Sequence, residues 1–538
     1  MSFPTGSGNR STPWIALALV LGLLGCAPEE EEAVQVGLAV VLVVDQLTPE
    51  LMERYDSAFR GGFRRLTDGG LLFSDAVHDH AITFTSPGHA TPTTGVIPAR
   101  HGIVANSWRE WEEREWQTVS SVADPETRLV GGDGSGSSPR NLLVDGFPDW
   151  LLQHDPASRV VSLSGKSTAS VLMGPRGFGA AADDDRTHVY WFSVGSEGFV
   201  SSSHYRPELP DWVSTFNESI VDRFAADQCW EADLSADVAH LSRPDTVDYE
   251  SDGIHTHFPH CPDHDPYDGP AHFLSRTPAL DNATLALAEE SVRALELGRG
   301  PAPDYLAIAL SATDRVGHEF GPFSREQLDN LLRLDRELDR FFAFLDDVIG
   351  EGGYVVVLTS DHGVLPLPEY LAEQGGDGLR LTSELAEALE DAAEGLEGQP
   401  GAEARDAEAE SAREEVARRI EALEWVEAGM TLETLASQSP ADSFVELYRR
   451  SFHPERLSGR MATYGVEVRL VEGTLVRTTG TTHGVPYLHD RHVPFMFYGA
   501  GVEPGTQTEP VRTVDLAPTL AGILGVTAPE GLDGRPLF

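Results

Sequence analysis

Residues 37–46 read GLAVVLVVDQ, and this stretch decides the fold class. It is a continuous apolar run, rich in β-branched side chains, that ends at the carboxylate of Asp45. A run without polar alternation is typical of a parallel strand buried on both faces of a sheet. Similar runs recur at 159–164, 305–311, 354–359 and 493–498.

Helical patterns lie between these runs. Residues 324–349 carry leucines at helical spacing behind Ser324, a good N-cap, and 514–524 form a second pattern near the C-terminus. Strands that alternate with helices predict an α/β fold, here one domain over 37–538 with a doubly wound, mostly parallel sheet.

Two stretches of that domain read as cap insertions, at about 110–300 and 365–476. The first contains few strand-like runs and a Gly/Ser-rich loop at 131–138. The second holds an acid-rich segment, 384–427, that has helical periodicity and is broken at 398–401. Its alternating charge predicts a solvated helical hairpin rather than a binding tail.

The first 26 residues read as an export signal. Their apolar run, 14–24, is too short to span a bilayer and ends in LLGC, which resembles a bacterial lipobox with Cys26 as the acylated residue. Residues 27–36 then form an acidic tether. We therefore expect a periplasmic or cell-surface lipoprotein held to the membrane by lipid alone, although an uncleaved anchor or a plain secretory signal would give a similar pattern.

Acidic residues outnumber basic ones by 86 to 39 in the 538-residue chain, for a formal charge of −47. Such a surface repels nucleic acid at long range, so no nucleic-acid partner is expected. It repels phosphate esters as well. Any phosphate site in this chain must therefore supply its own local positive charge.

Two further cysteines, Cys229 and Cys261, are expected to form a disulfide in an oxidising compartment. The alternative is a metal cluster, because four histidines crowd Cys261: His255, His257, His260 and His264. With the cysteines bridged, these histidines are expected on an exposed loop.

Polar clusters rich in Asp and His stand beside the strand-like runs. They supply Asp45, then Asp314 with His318, then Asp361 with His362, and finally His483 before the run at 493–498. Loops at the carboxyl ends of parallel strands converge on one crevice. Three carboxylates and three imidazoles suit two zinc ions with three ligands each, although each motif alone would be a weak signal.

A nucleophile for such a centre is available in the sequence TFTSPGH at 83–89. Thr85 and Ser86 stand at a predicted helix start, where Pro87 fits the first turn. A helix N-terminus stabilises an alkoxide and an incoming phosphate. The alternative is that either hydroxyl serves only as an N-cap.

The motifs together resemble the alkaline phosphatase superfamily. They are VVDQ at 43–46, TFTSPGHATPTTGVIPARHGIVANSW at 83–108, TDRVGHEFGP at 313–322, TSDHG at 359–363 and TTHGVPYLHDRHVPFMFYG at 481–499. The chain looks most similar to the phosphate-irrepressible alkaline phosphatases, neighbours of the nucleotide pyrophosphatase/phosphodiesterases. The resemblance runs from about residue 36 to the C-terminus and is weakest in the two insertions.

The resemblance implies a role for each position. One zinc would be held by Asp314, His318 and His483, and the other by Asp45, Asp361, His362 and the nucleophile. Thr85 rather than Ser86 matches that nucleophile, which implies a phosphothreonine intermediate. Asn106 matches a residue that binds a phosphoryl oxygen, whereas His89 and His101 match no ligand and are expected to be structural.

The monoesterase branch carries a Lys and, two residues later, an Arg that contact the phosphoryl oxygens. Here Lys166 occupies the first position and Thr168 the second, which is a departure. Lys166 is the only lysine in the chain, which favours a phosphate-binding role over a chance surface position. The loss of an Arg at 168 weakens the argument for monoesters, unless Arg176 compensates.

These observations favour hydrolysis of phosphate monoesters. A phosphodiesterase with the same site is the alternative, and a surface binding lipoprotein that has lost turnover is a third reading. A sulfatase is disfavoured because no Cys or Ser stands in the C/S-x-P-x-R context that sulfatases need.

Overall fold

The structure is a computed structural model that describes residues 36–177, 185–225, 229–250, 255–262, 269–396, 401–404 and 406–538. These residues belong to one compact unit. The predicted signal peptide with Cys26, nearly all of the tether and His264 lie outside the described residues. Within them, no helix has the length and apolar character needed to cross a bilayer.

The strands, in chain order, are β1 (Leu38–Val44), β2 (Leu71–Phe73), β3 (Ala76–Val77), β4 (Ser107–Glu112), β5 (Glu115–Ser120), β6 (Ala123–Val130), β7 (Ser135–Ser137), β8 (Val160–Ser164), β9 (Thr187–Ser193), β10 (Gly198–Ser202), β11 (Asp304–Leu310), β12 (Tyr354–Thr359), β13 (Leu379–Leu381), β14 (Val426–Thr431), β15 (Val466–Leu470), β16 (Thr474–Val476), β17 (Phe495–Gly499), β18 (Gly505–Gln507) and β19 (Val511–Arg512).

The helices are α1 (Pro49–Tyr55), α2 (Gly62–Gly69), α3 (Thr85–Thr94), α4 (Pro98–His101), α5 (Phe147–His154), α6 (Ser167–Leu172), α7 (Asp211–Asn217), α8 (Ile220–Phe224), α9 (Pro270–Arg276), α10 (Ala279–Leu295), α11 (Ala312–Phe320), α12 (Arg325–Val348), α13 (Pro368–Glu373), α14 (Glu384–Ala393), α15 (Ala407–Ile420), α16 (Leu432–Ala436), α17 (Ser443–Ser451), α18 (Gly459–Tyr464), α19 (Leu488–Arg491) and α20 (Leu516–Ile523). Short 3₁₀ turns lie at Val194–Ser196, Ala239–Leu241 and Thr513–Asp515.

One large mixed sheet dominates the described residues, with strand order β18-β2-β17-β12-β1-β11-β8-β9-β10-β6-β7. Its five central strands, β12, β1, β11, β8 and β9, run parallel, and antiparallel pairs join β17 and β10 to them. The predicted α/β class with a mostly parallel, doubly wound sheet is confirmed. One strand differs, because the apolar run at 493–498 becomes β17 and pairs antiparallel to β12.

The strand β1 lies at the centre and is buried along its whole length. Its alternate residues enter two different cores: Leu38, Val40, Leu42 and Val44 pack on one face, whereas Ala39, Val41 and Val43 pack on the other. The helices α2, α10 and α12 cover the first face, and α5 and α20 cover the second. A strand that feeds two cores needs no polar alternation, which explains the run from which the fold was predicted.

The strand order reverses at β1, since β11 pairs with one of its edges and β12 with the other. In open α/β sheets such a switch point opens a crevice at the carboxyl ends of the strands, where ligands bind. The antiparallel β17 begins at this same edge. The segment before it therefore reaches the crevice although β17 runs the opposite way.

The two predicted insertions differ in how they relate to the sheet. The 110–300 segment supplies β6 to β10 to the large sheet, so it is built into the domain. The 365–476 segment forms its own small sheets, and α14 and α15 pack together through an apolar core. On α15, however, Arg413 is buried and pairs with Glu433 at 2.6 Å, so this hairpin is less solvated than its composition predicts.

Cys229 and Cys261 form a disulfide, with sulfur atoms 1.95 Å apart. The thiols are thus bonded to each other and not arranged as metal ligands. The expectation that the nearby histidines are exposed is wrong for His260, which is buried with Nε2 3.0 Å from Oε1 of Glu326. Apolar packing against Trp230 and Phe320 places His260 inside the domain.

Candidate active site

Four predicted ligands lie at the carboxyl edge of the central strands. Asp45 directly follows β1, Asp314 lies in the first turn of α11 after β11, and Asp361 and His362 follow β12. His483 reaches the same edge from the segment before β17. All five side chains are buried, so the sheet topology alone brings them into one enclosed place.

The ligand atoms form two groups that could each hold a metal ion. Asp45, Asp361 and His362 place ligand atoms within 4.8 Å of one another, and so do Asp314, His362 and His483. His318 stands beside the second group, with Nε2 3.0 Å from Oδ1 of Asp314. The six predicted side chains are therefore together, and His362 lies at the boundary between the two groups.

Each histidine has its Nδ1 within hydrogen-bond distance of a backbone carbonyl. The acceptors are Thr481 for His318 at 2.7 Å, Gly363 for His362 at 3.0 Å and Thr83 for His483 at 2.7 Å. A carbonyl only accepts, so for His362 and His483 these bonds place the proton on Nδ1 and leave the Nε2 lone pair facing the carboxylates. Nδ1 of His318 also lies 3.0 Å from Nη1 of Arg477, a donor that competes with the carbonyl for that atom. Metal-binding histidines are held in the same way.

Three buried polar atoms in this cluster have no hydrogen-bond partner: Oδ1 of Asp45, Oδ2 of Asp361 and Nε2 of His362. An unsatisfied buried polar atom costs about 1–3 kcal/mol, and more if it is charged. All three belong to one of the two ligand groups and converge on each other. A bound cation would satisfy them together, so these residues fit a metal ion, and mixed imidazole and carboxylate ligands suit zinc.

Burial shifts the pKa values of this cluster. It lowers the pKa of His483 to about 3 and that of His362 well below its usual range, so both rings stay neutral. It raises the pKa of Asp45 to about 6, with help from the charge of Asp314. Burial acts on Asp314 in the same sense, but its electrostatic interactions with His318 and Lys166 outweigh burial and lower its pKa.

Lys166 projects from the start of α6, just after β8, into the same cluster. Its Nζ lies 2.5 Å from Oδ2 of both Asp45 and Asp314, and its side chain is 12% exposed. Burial alone would lower the pKa of Lys166, yet the two carboxylates outweigh burial and raise it. The single lysine of the chain is therefore an interior cation and not a surface residue.

A cavity of about 630 Å³ opens onto this cluster. Its lining includes Thr85 at the first position of α3, together with Asn106, Lys166 and Thr168. Ser86 points elsewhere, because its hydroxyl lies 2.8 Å from that of Ser121. Of the two candidate hydroxyls, only Thr85 lines the cavity.

Asn106 is fixed next to Thr85 by its side-chain oxygen. Oδ1 accepts a hydrogen bond from the backbone N–H of Ser86 at 2.8 Å. That bond orients the amide and leaves its NH₂ group free to donate. Asn106 thus offers a donor to an oxygen atom bound in front of the helix start.

Several sequence expectations concern residues around this cavity. Arg176 does not compensate for Thr168, since its guanidinium donates to the carbonyl of Leu142 at 2.6 Å and pairs with Asp145 at 3.0 Å. His101 has structural partners on both ring nitrogens, as expected. His89 bonds to the carbonyl of Thr85 at 2.8 Å, and also lies 3.3 Å from Asp361.

Sequence reasoning missed Gln46, which contacts both ligand groups. Its side-chain amide donates to Oδ1 of Asp314 at 2.8 Å, and its backbone N–H donates to Oδ1 of Asp361 at 3.2 Å. Its φ of 71° is unusual for a residue other than glycine and costs about 1 kcal/mol or more. The only available signal was its position next to Asp45.

Asp490 and Gly88 were missed as well. Asp490 is buried and its Oδ2 accepts from the backbone of Gly484 at 2.7 Å and Val485 at 2.9 Å, which fixes the loop that carries His483. A Cβ on Gly88 would lie 2.2 Å from the carbonyl oxygen of Asp361. Glycine is needed there because α3 packs directly against the end of β12.

Comparison with known proteins agrees with this fold. The chain is 29% identical to the alkaline phosphatase PafA of Elizabethkingia meningoseptica over 97% of this chain and 98% of that protein. It is 31% identical to the alkaline phosphatase PhoK of a Sphingomonas species, over 93% and 90%. The crystal structure of PafA matches with a TM-score of 0.83 at 27% identity, covering 94% of this chain and 98% of that one.

The sequence family described as type I phosphodiesterase / nucleotide pyrophosphatase matches residues 39–468, which is most of the chain. The resemblance on which the residue assignments depend is thereby confirmed. On this match, and on its agreement with the fold, the chain belongs to the type I phosphodiesterase / nucleotide pyrophosphatase family.

Proposed function

We propose that this protein is a two-zinc alkaline phosphatase that hydrolyses phosphate monoesters through a phosphothreonine at Thr85. The observation that carries the proposal is one cavity lined by Thr85, Asn106 and Lys166 and bordered by the buried Asp/His cluster. The names of the similar proteins PafA and PhoK support the same activity.

Two sets of three ligands would hold the metals. Asp45, Asp361 and His362 would bind one zinc ion, and Asp314, His318 and His483 would bind the other. When bound, zinc ions supply Lewis acidity, which favours ionisation of a hydroxyl and stabilises a departing oxygen. The chain contributes the fixed imidazoles and the shape of the cavity beside them.

Thr85 acts as the nucleophile. Its Oγ attacks phosphorus, the bond between phosphorus and the ester oxygen breaks, and the alcohol leaves with a proton. Water then hydrolyses the phosphothreonine, which releases phosphate and restores the threonine. Thr85 is the first residue of α3, and the positive end of the helix dipole at this terminus favours an anionic phosphoryl group.

Lys166 and Asn106 bind the non-bridging oxygens of the phosphoryl group. The ammonium of Lys166 supplies charge, and the amide of Asn106 supplies an oriented neutral donor. Both are fixed before substrate arrives, so little reorganisation opposes the reaction.

The positive charge of Lys166 favours a monoester over a diester. A monoester dianion carries one more negative charge on its free oxygens, whereas a diester replaces one of them with an alkoxy group. A second candidate function, phosphodiester hydrolysis at the same site, is favoured by the family match and by the neutral Thr168.

Turnover of an aryl phosphate and of its methyl diester by the same zinc-loaded preparation tests the proposal. We expect kcat/KM to be higher for the monoester. A diester preference of roughly tenfold or more would overturn the monoesterase assignment. Absence of both activities, together with no zinc by elemental analysis, would favour a binding lipoprotein without turnover.

We also propose that the chain is exported and acylated at Cys26, which leaves it attached to a membrane by lipid alone. The support is the short apolar run ending in LLGC. Metabolic labelling with a radioactive fatty acid should mark the wild-type protein and leave Cys26→Ser unlabelled. Equal labelling of both proteins would contradict the proposal.

A further inference from the structure

The charges around the cavity in front of Thr85 determine how well it can bind a phosphate group. The chain carries a formal charge of −47, and the ammonium of Lys166 is already paired with two carboxylates. A phosphate dianion would gain from any further positive charge on the cavity wall, in addition to that of Lys166 and of the proposed zinc ions. Thr168, which lines the same cavity, is neutral.

Arg315 lines this cavity and is exposed. Its guanidinium has neither an ion pair nor a hydrogen bond within the part of the chain that the structure describes. It lies near enough to Lys166 to act electrostatically on it. Burial is the main influence lowering the pKa of Lys166, and Arg315 also lowers it, against the opposing charges of Asp314 and Asp45.

The other arginines in this region are already engaged. Arg276 pairs with Glu319 at 2.5 Å, and Arg380 pairs with Glu369 at 2.6 Å. Arg477 also lines the cavity, but its Nη1 donates to the carbonyl of Thr481 at 2.6 Å.

The backbone that carries Arg315 is held firmly. Asp281 is buried and its Oδ1 accepts a hydrogen bond from the N–H of Ala312 at 3.0 Å, which anchors the first turn of α11. Asp314, the residue before Arg315, is one of the buried ligand candidates. The backbone of Arg315 is therefore fixed beside the reacting centre, and only the side chain has to move to contact a bound phosphoryl group.

We propose that Arg315 binds a non-bridging oxygen of the substrate phosphoryl group and thereby makes the site selective for dianionic monoesters over monoanionic diesters. The inference rests on the proposed function, since it assigns a specificity residue to that same reaction. A guanidinium offers two parallel N–H donors to a phosphate, which a threonine at 168 does not.

The test compares Arg315→Ala with Arg299→Ala. Arg299 is also exposed and, within the described residues, has no ion pair; it precedes β11, at the opposite end of the strand that Arg315 follows. Both variants remove one positive charge. We expect Arg315→Ala to lower kcat/KM for an aryl phosphate about 10- to 30-fold, to change that for its methyl diester less than threefold, and Arg299→Ala to change neither.

Two further measurements make the result specific. Adding Thr168→Arg to Arg315→Ala should restore most of the lost monoester activity, because it returns a guanidinium to the same wall of the cavity. The dissociation constant of inorganic phosphate, measured by calorimetry, should rise in Arg315→Ala and stay unchanged in Arg299→Ala.

The outcomes separate this inference from the proposed function. Wild-type protein without monoesterase activity would refute the function, and the phosphate dissociation constants would then decide the role of Arg315. An equal loss for monoester and diester, an effect below threefold on both substrates, or identical phosphate binding by the two arginine variants would overturn the inference.

Discussion

Replacing Gln46 by alanine should weaken one metal position and leave the other almost unchanged. The substitution removes the side-chain hydrogen bond to Asp314, which is 2.8 Å long, and keeps the backbone hydrogen bond to Asp361 at 3.2 Å. The first bond orients a candidate ligand of one group, and the second orients a ligand of the other. The two groups should therefore respond differently.

The size of the effect follows from the hydrogen bond that is lost. A hydrogen bond to a charged group contributes about 1.5–3 kcal/mol, and each 1.4 kcal/mol is a factor of ten in affinity. We expect zinc affinity at the position that includes Asp314 to fall roughly 10- to 100-fold, as observed for residues that support metal ligands. Backbone strain does not confuse the comparison, because alanine and glutamine have similar difficulty at a φ of 71°.

Competition with a chromophoric chelator, fitted to two sites, measures this change. Gln46→Gly is the matched control, since it removes the same amide and also relieves the strain of positive φ. It should lose the same zinc affinity yet unfold at a higher temperature than Gln46→Ala. Unchanged affinity in both variants, or an equal loss at both sites, would refute the positioning role of Gln46.

The remaining predictions concern the nucleophile, the lysine and a buried acid. Thr85→Ala should lower turnover of monoester and diester more than about 10³-fold in steady-state assays. Ser86→Ala should retain most activity, because it loses only a hydroxyl contact away from the cavity. Similar losses in the two variants would contradict the assignment of the nucleophile. Lys166→Ala should lower kcat/KM for an aryl phosphate about 10- to 100-fold and for its methyl diester several-fold less, and a larger loss on the diester would be the opposite of our expectation. Burial raises the pKa of Glu326 to about 8, above its unfolded value, so its ionisation opposes folding increasingly as pH rises from about 4.5 to 8. Glu326→Gln should therefore gain roughly 1–3 kcal/mol relative to wild type in urea unfolding at pH 9 compared with pH 5, and a stability difference independent of pH would contradict this reasoning.

The sequence predicts the central sheet well because strands that are buried on both faces are apolar at every position. A strand such as β1 feeds two cores, so every position is apolar and the pattern is unmistakable. The direction of β17 could not be read in this way. Parallel and antiparallel strands buried on both faces carry the same apolar run, and only their pairing partners distinguish them.

The candidate ligands were predictable because Asp and His at strand ends are costly without a partner or a metal. Gln46 and Asp490 gave no such signal, since an amide or a carboxylate outside the strands is usually an ordinary polar residue. Their roles depend on hydrogen bonds to residues 268 and 5–6 positions away along the chain. The burial of His260 could not be predicted either, because its partner Glu326 belongs to α12, which is far from His260 along the chain.

Diffraction from zinc-loaded crystals, with anomalous difference maps at the zinc edge, tests the metal assignment most directly. We expect two peaks per chain, one about 2.0–2.2 Å from ligand atoms of Asp45, Asp361 and His362, and the other at the same distance from Asp314, His318 and His483. The Oγ of Thr85 should face both. A single peak, a peak bound by other residues, or a Thr85 hydroxyl turned away from the metals would contradict the account.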